Sequence, residues 1–247
     1  QRQFALYYQP RVDTHTGEIR GLEALVRWIH PVHGVISPAV FISMAEATGS
    51  IIPLGALVME EACRQIKAWR EAGLAPVPIS INISPRQLDA GGVDRQLASL
   101  MEKYAIPPRL IEVELTESAM MSEAQGVLDQ VAAIRQMGIT LHLDDFGTGY
   151  SSLSRLQEIE MQVLKIDRAF VSRLGTSHQA DVLVKTIILM ARELQMAVVA
   201  EGVETVAQLH ALQRLGCDEV QGYLIAKAVT AEEATAFLHK KLLPATQ

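Results

Sequence analysis

The sequence predicts an α/β barrel in which one strand is irregular. The prediction rests on the length of 247 residues and on short β-rich runs that alternate with longer helical runs. Repeated strand-then-helix units favour a parallel sheet with helices outside it. A closed barrel of eight such units usually fills about 250 residues. Since the chain has no Gly/Ser-rich linker and no low-complexity stretch, residues 1–247 are interpreted as a single domain.

The strand candidates are short runs that alternate apolar and polar residues or are rich in β-branched side chains. They lie at residues 4–9, 20–28, 78–83, 110–115, 139–143, 161–166, 196–200 and 219–223. Only a turn at residues 13–17 separates the first two, whereas a parallel crossover needs about a dozen residues or more. These two strands are therefore expected to be antiparallel.

The helical runs lie between the strands and several carry cap residues. They span residues 38–47, 53–72, 94–104, 122–137, 180–194, 205–215 and 231–240. Ser37, Ser122 and Thr230 are expected to cap helix N-termini. Gly138 and Gly216 are expected to end helices.

The composition excludes several classes of protein. Hydrophobic residues make up 49% and charged residues 20%, which is typical of a globular domain. The net charge of −6 argues against binding to a nucleic-acid polymer, which requires a basic patch. Two cysteines are too few for a disulfide framework and indicate buried thiols in a reducing compartment. No apolar run reaches the roughly 18 residues of a membrane helix, so this domain is not expected to insert into a membrane.

Polar side chains lie at the carboxyl ends of nearly all the strand candidates. In a barrel these ends converge on one face, which is where such enzymes have their active sites. The residues concerned are Glu23, Asn82, Glu114, Asp144, Asp145, Lys165, Asp167, Glu201, Glu204 and Gln221.

The charges within this set indicate a metal site. Five of its carboxylates would share one mouth with Asn82 and repel each other, and Lys165 alone cannot neutralise them. These five are Glu23, Glu114, Asp144, Asp145 and Glu201. An all-oxygen ligand set favours Mg²⁺ or Mn²⁺ over zinc. Because Asp144 and Asp145 are adjacent, we expect a bridging carboxylate and two ions about 3.5–4 Å apart. Such a pair suits displacement at a phosphoryl group by an activated water.

Two assignments stay open at this point. Lys165 is equally compatible with a catalytic role and with a salt bridge to Asp167 or Glu201. Glu112 and Glu114 alternate onto the same face of their strand, so their spacing does not show which one binds metal.

Eight motifs occur in order between residues 8 and 223. They are Tyr8-Gln9-Pro10, Glu23-Ala24-Leu25-Val26-Arg27-Trp28, Asn82-Ile83-Ser84, Glu114-Leu115-Thr116-Glu117, Asp144-Asp145-Phe146-Gly147-Thr148-Gly149-Tyr150-Ser151-Ser152, Lys165-Ile166-Asp167, Glu201-Gly202-Val203-Glu204 and Gln221-Gly222-Tyr223. Together they resemble the EAL domain family, the bacterial cyclic di-GMP phosphodiesterases. The resemblance implies a modified TIM (β/α)8 barrel with one antiparallel strand near the N-terminus. It also implies that one phosphodiester of cyclic di-GMP is hydrolysed to linear pGpG.

The family's site residues map onto this chain one by one. The resemblance implies that two Mg²⁺ or Mn²⁺ ions, bridged by Asp144, are held by Glu23, Asn82, Glu114, Asp144, Asp145 and Glu201. It implies catalytic roles for Glu23, Lys165, Glu201 and Glu204. It implies substrate contacts for Gln9, Leu25, Arg27, Asp167, Gln221 and Gly222, and a role for Glu117 in shaping the loop at 147–152.

The resemblance also carries expectations about context. The family implies a homodimer and a cytoplasmic domain of a longer protein, fused to sensory or GGDEF domains and in some cases anchored in the inner membrane. The chain departs from the family pattern at Ile225, Ala226 and Ala228, where we expect a modest effect on substrate affinity.

Two other functions compete with the phosphodiesterase interpretation. A catalytically silent cyclic di-GMP receptor is disfavoured because each mapped catalytic position has the expected residue. A barrel glycosidase would need one acid and one base or nucleophile, and five carboxylates with an asparagine fit metal ions better.

Overall fold

The computed structural model describes residues 3–122, 124–147 and 159–243. The strands are β1 (Phe4–Asp13), β2 (Ile19–His30), β3 (Gly34–Ile36), β4 (Ile79–Ile83), β5 (Ile111–Thr116), β6 (Thr140–Phe146), β7 (Val163–Ile166), β8 (Ala197–Ala200) and β9 (Glu219–Val220). The helices are α1 (Pro38–Thr48), α2 (Ile51–Glu71), α3 (Pro85–Ala90), α4 (Val93–Tyr104), α5 (Glu117–Met120), α6 (Gln125–Gln136), α7 (Arg168–Val171), α8 (His178–Glu193), α9 (Val206–Leu215) and α10 (Ala231–Thr235).

Among the described residues, nine strands form one sheet, and eight of them close into a barrel. The order around the ring is β1-β9-β8-β7-β6-β5-β4-β2, and β1 pairs with β2 to close it, while β3 lies outside against β2. Strand β1 is antiparallel to both of its neighbours, whereas the pairs from β2–β4 around to β8–β9 are parallel. The prediction of an α/β barrel with one antiparallel strand is confirmed. The turn after β1 is held by Asp13, whose Oδ1 accepts the N–H groups of His15 and Thr16.

The elements that the sequence did not predict are short. Strand β3 has three residues, and α3, α5 and α7 have one turn or little more, so none shows a full hydrophobic period. Each of these helices starts directly after a strand. Ser84, Thr116 and Asp167 cap them through side-chain oxygens that accept a backbone N–H.

Two predicted helices and three predicted strands are wrong at an end by three residues or more. The first strand continues to Asp13 and does not end at 9, and the strand predicted at 139–143 continues to Phe146. Helix α6 begins at Gln125 and not at 122, because Ser122 accepts the N–H of Ala124 in a local turn and caps no helix. Helix α10 ends at Thr235 and not at 240. The last strand ends at Val220 and not at 223, because the chain turns sharply from there.

The C-terminal segment, residues 226–243, covers β1, which is followed by a turn and has no helix of its own. Tyr8 and Val229 exchange backbone hydrogen bonds of 2.7 and 3.0 Å. Trp69 of α2 donates from Nε1 to Thr235 Oγ1 at 2.7 Å. This packing holds the segment against β1 and α2, and Tyr8 and Trp69 are both buried.

Both cysteines are free thiols buried in the core, as predicted. None of the helices in the described part of the chain combines the length and the hydrophobicity that a membrane span requires.

Candidate active site

Strand alternation builds two polar layers inside the barrel. Residues two apart in a strand share a face, so each inward residue at a strand end has another inward residue one layer deeper. The upper layer, at the mouth, contains Gln9, Glu23, Asn82, Glu114, Asp144, Lys165, Glu201 and Gln221. The lower layer contains Arg11, Glu112, His142 and Glu219.

Lys165 is the centre of the upper layer. Its Nζ lies 2.5 Å from Glu114 Oε2, 2.6 Å from Glu201 Oε1, 3.3 Å from Asp144 Oδ1 and 3.8 Å from Glu23 Oε2. These four carboxylates and Lys165 form the acid cluster. Burial alone would lower the pKa of Lys165, but the four carboxylates raise it well above its ordinary value. Lys165 is therefore a protonated ion-pair partner of Glu201.

Two amides hold Glu23. Asn82 Nδ2 donates to Glu23 Oε1 at 2.9 Å, and Gln221 Nε2 donates to Oε2 at 2.6 Å. Burial raises the pKa of the Glu23 carboxyl, but Lys165 and these two amides outweigh it and lower the pKa below the ordinary value. Glu23 is thus held ionised.

Glu114 and Glu201 behave in the opposite way. Burial, followed by the charges of neighbouring carboxylates, raises the pKa of Glu114 well above its ordinary value and that of Glu201 to about 7. Glu114 Oε1 has no hydrogen-bond partner among the described residues. The open choice between Glu112 and Glu114 is settled in favour of Glu114 as a member of the mouth, because Glu112 lies one layer deeper, beside Arg11.

Asp145 follows Asp144 at a point where the strand is irregular. Successive residues of a regular strand point to opposite faces. The pairing of β6 with β7 shifts register between Leu143 and Phe146, and Asp145 has a left-handed backbone with φ of 55°. Burial, then the charges of Asp144 and Asp167, raises the pKa of Asp145, so it lies within the same electrostatic environment. A bulge of this kind re-aims a side chain.

Two predicted site residues, Asp167 and Glu204, have partners outside the acid cluster. Asp167 accepts the N–H of Ala169 and caps α7. Glu204 is exposed, and its Oε1 lies 2.8 Å from Arg168 Nη2.

Leu25 and Arg27 line a cavity of about 260 Å³ that reaches Asn82. The Arg27 guanidinium carbon lies 5.9 Å from the centre of the Tyr7 ring. This cavity adjoins the acid cluster because Asn82 contacts both.

Glu117 and Gly222 each make a close contact with the backbone of a neighbouring segment. Glu117 is buried, and its Oε2 accepts the N–H of Gly147 at 3.1 Å. Residues 148–152, which complete the predicted loop, lie outside the described residues. Gly222 packs so closely against Val203 that a Cβ there would lie 2.2 Å from the Val203 carbonyl oxygen. This contact fixes the end of β9, and hence Gln221, beside the segment that carries Glu201.

Glu112 was a candidate from the sequence, but its lower-layer partner Arg11 and the neighbouring Glu219 were not. Arg11 is only 1% exposed, forms a close ion pair with Glu112, and lies 2.7 Å from Glu219 Oε2 through Nη1. His142 Nε2 lies 3.3 Å from Glu112 Oε2. The alternation rule could have found Arg11, because it lies two residues after Gln9 on the same face.

Comparison with known proteins gives a consistent result. A family model described as EAL domain matches residues 1–228. The bifunctional diguanylate cyclase/cyclic di-GMP phosphodiesterase MucR of Pseudomonas aeruginosa is 39% identical over 96% of this chain and 34% of its own length. The cyclic di-GMP phosphodiesterase PdeR of Escherichia coli is 39% identical over 93% of this chain and 34% of its own length. The chain therefore spans about a third of the length of these relatives.

Solved structures agree with this match. The PaMucR phosphodiesterase in its c-di-GMP complex matches with a TM-score of 0.90 and 39% identity over 94% of each chain. The EAL domain of Mycobacterium smegmatis DcpA matches with a TM-score of 0.83 and 33% identity, over 98% of this chain and 100% of that one.

Proposed function

The chain belongs to the EAL domain family, and on this premise we propose that it hydrolyses one phosphodiester of cyclic di-GMP to give linear pGpG. The observation that carries the proposal is the acid cluster at the carboxyl-terminal mouth of the barrel, where four carboxylates surround one lysine. Water adds to phosphorus, the P–O3′ bond breaks, and the departing oxygen takes up a proton.

The residues of the mouth fit divalent cations. The donors are carboxylate and amide oxygens, which Mg²⁺ and Mn²⁺ prefer, and buried oxygens of Glu114 and Gln221 lack partners among the described residues. Two ions would be held by Glu23, Asn82, Glu114, Asp144, Asp145 and Glu201. When bound, such ions supply positive charge to the phosphate and lower the pKa of a water towards neutrality.

The chain's own groups prepare the reaction. Glu23 is held ionised by Asn82 and Gln221. Lys165 orients Glu114 and Glu201 and presents an ammonium to the attacking water and the phosphate. In the metal-free protein burial raises the pKa of Glu201 to about 7, so bound cations would hold this carboxyl ionised at neutral pH and keep it available as a ligand.

Substrate contacts are proposed for residues around this centre. Arg27, whose planar guanidinium suits a phosphate, and Leu25 line the cavity next to Asn82. We assign further contacts to Gln9, Asp167, Gln221 and Gly222. Glu204 and Gln221 would support the bound water, and Glu117 would hold the loop that begins at Gly147.

The biological context is also a proposal. We propose that the domain acts as a homodimer in the cytoplasm and belongs to a longer protein with sensory or GGDEF domains. The family resemblance supports this context, as does the name of one relative, MucR, which joins diguanylate cyclase and phosphodiesterase activities.

Substitutions in the mouth test the proposed function. Asp144→Asn and Glu23→Gln keep the side-chain size but remove a charge from the site, and we expect both to abolish pGpG formation while the far-ultraviolet circular dichroism stays unchanged. Asp129→Asn, on the exposed face of α6, is the matched control. Normal turnover in either mouth variant would contradict the assignment. Tight cyclic di-GMP binding by wild-type protein without any product would favour the silent receptor.

A further inference from the structure

Gln9 is the middle of a hydrogen-bond chain that ends on Glu23. Its Nε2 donates to the backbone carbonyl of Ala226 at 3.0 Å, and its Oε1 accepts from Gln221 Nε2 at 3.2 Å. The same Gln221 Nε2 donates to Glu23 Oε2 at 2.6 Å. The carboxylate at the mouth is thus linked through two amides to the C-terminal segment.

The far end of this chain is well fixed. Ala226 N–H donates to the Gly222 carbonyl at 3.1 Å, and three residues later Val229 exchanges two backbone hydrogen bonds with Tyr8. The departure from the family pattern at Ala226 leaves the link intact, because Ala226 contributes its backbone carbonyl.

The hydrogen-bond chain also determines the orientation of the Gln221 side-chain amide. The Gln9 amide nitrogen is committed to the Ala226 carbonyl, so Gln9 presents its oxygen to Gln221. An acceptor there requires that Gln221 present its nitrogen, and that nitrogen also contacts Glu23. Gln221 Oε1 is left buried without a partner among the described residues. One Gln221 orientation therefore satisfies Gln9 and Glu23 together.

We propose that Gln9 is a positioning residue for Glu23: it fixes the Gln221 amide and thereby holds the Glu23 carboxylate ready to bind a metal ion. The inference rests on the proposed function, in which Glu23 is a metal ligand. It adds to the substrate contact that the family resemblance implies for Gln9, and it differs in its consequences. A substrate contact affects nucleotide binding, whereas a positioning residue affects metal binding before any nucleotide is present.

The test is Mn²⁺ binding without nucleotide, measured by electron paramagnetic resonance of the free ion. Gln9→Met keeps the length of the side chain and removes both hydrogen bonds. We expect it to raise the Kd for Mn²⁺ by about three- to tenfold, the worth of one hydrogen bond. Gln125→Met is the matched control, because Gln125 is exposed on α6 and its side chain donates a hydrogen bond to Asp129, away from the mouth. The control is expected to bind Mn²⁺ like wild type.

A second variant keeps the test valid if Gln9→Met fails to fold. Gln221→Met breaks the same link from the other side and is expected to weaken Mn²⁺ binding at least as much. The double variant is expected to lose less than the sum of the two single losses, because both act through one contact. In turnover, Gln9→Met is expected to lower kcat and leave KM nearly unchanged.

The outcomes separate this inference from the proposed function. Unchanged Mn²⁺ affinity in Gln9→Met, with a raised KM, would overturn the positioning role and leave the proposed function standing. If Gln9→Met binds Mn²⁺ more weakly but the wild-type protein forms no pGpG, the positioning role would be supported and the proposed hydrolysis contradicted. A wild-type protein that binds no Mn²⁺ would overturn both.

Discussion

Replacing Lys165 by Met removes the ammonium at the centre of the acid cluster. Lys165 is 1% exposed, and within the described residues it is the cation that approaches Glu23, Glu114, Asp144 and Glu201 within 4 Å. Methionine occupies a similar volume without the charge. The substitution therefore isolates the electrostatic contribution of Lys165 and leaves carboxylates facing each other.

The expected loss of stability in Lys165→Met is large and depends on pH and on bound metal ions. Removing one partner of a buried ion pair costs about 3–5 kcal/mol. In a domain of this size 1 kcal/mol shifts Tm by about 2–4 °C, so we expect Tm to fall by about 6–20 °C in EDTA at pH 8. Divalent cations bound among the same carboxylates would replace the missing charge, so the loss is expected to shrink when Mn²⁺ is added.

The stability of the metal-free protein is expected to fall as the pH rises. In the folded metal-free protein the pKa of Glu201 is raised to about 7 and that of Glu114 well above its usual range, whereas a glutamate in the unfolded chain has a pKa of about 4.3. The folded state then binds more protons between these values, so stability falls as the pH rises through 7. The Tm loss of Lys165→Met is expected to be smaller at pH 5.5 than at pH 8.

The assay is thermal unfolding followed by circular dichroism, for wild type and Lys165→Met, at pH 5.5 and pH 8, in EDTA and in Mn²⁺. Lys103→Met is the control: Lys103 forms an exposed ion pair with Glu60, and such pairs are worth about 1 kcal/mol or less. An equal Tm loss under all four conditions would refute the reasoning, because it would show that Lys165 stabilises the fold through packing alone.

Two further stability predictions follow from the packing around the mouth. Gly222→Ala would place a Cβ 2.2 Å from the Val203 carbonyl oxygen, so we expect it to destabilise the domain by about 1–3 kcal/mol in urea unfolding; unchanged stability would show that the close approach is not constraining. Arg11→Met would leave Glu112 and Glu219 buried beside each other, and we expect a loss of about 3–5 kcal/mol that Mn²⁺ does not reduce, since the lower layer lies below the mouth. A Mn²⁺-dependent loss would argue against that separation.

The barrel itself could be predicted because its signals are local and repeated. The strand-then-helix alternation located all eight barrel strands. The turn at residues 13–17 already required antiparallel pairing of β1 and β2. Strand β3 could not be predicted, since a three-residue strand carries no periodicity. Helix α6 was placed too early because Ser122 looks like a cap in sequence, although its oxygen is used in a turn.

Most of the mouth was predictable because its residues lie at strand ends, although Gln9 and Glu23 lie within β1 and β2. The contacts among the residues beneath it were not predictable. Arg11 and His142 become partners of Glu112 only when three distant strands are brought together. The left-handed Asp145 depends on a register shift that no spacing rule contains. The choice between Glu112 and Glu114 required the depth of each in the barrel, which alternation leaves undetermined.

The most direct test of the proposed activity is incubation of the wild-type domain with cyclic di-GMP, in Mn²⁺ and separately in EDTA, followed by chromatography of the products. The structure and the family together predict linear pGpG with Mn²⁺ and intact cyclic di-GMP with EDTA. Intact nucleotide in both reactions would contradict the proposed hydrolysis, and equal pGpG formation in both would contradict the dependence on metal ions.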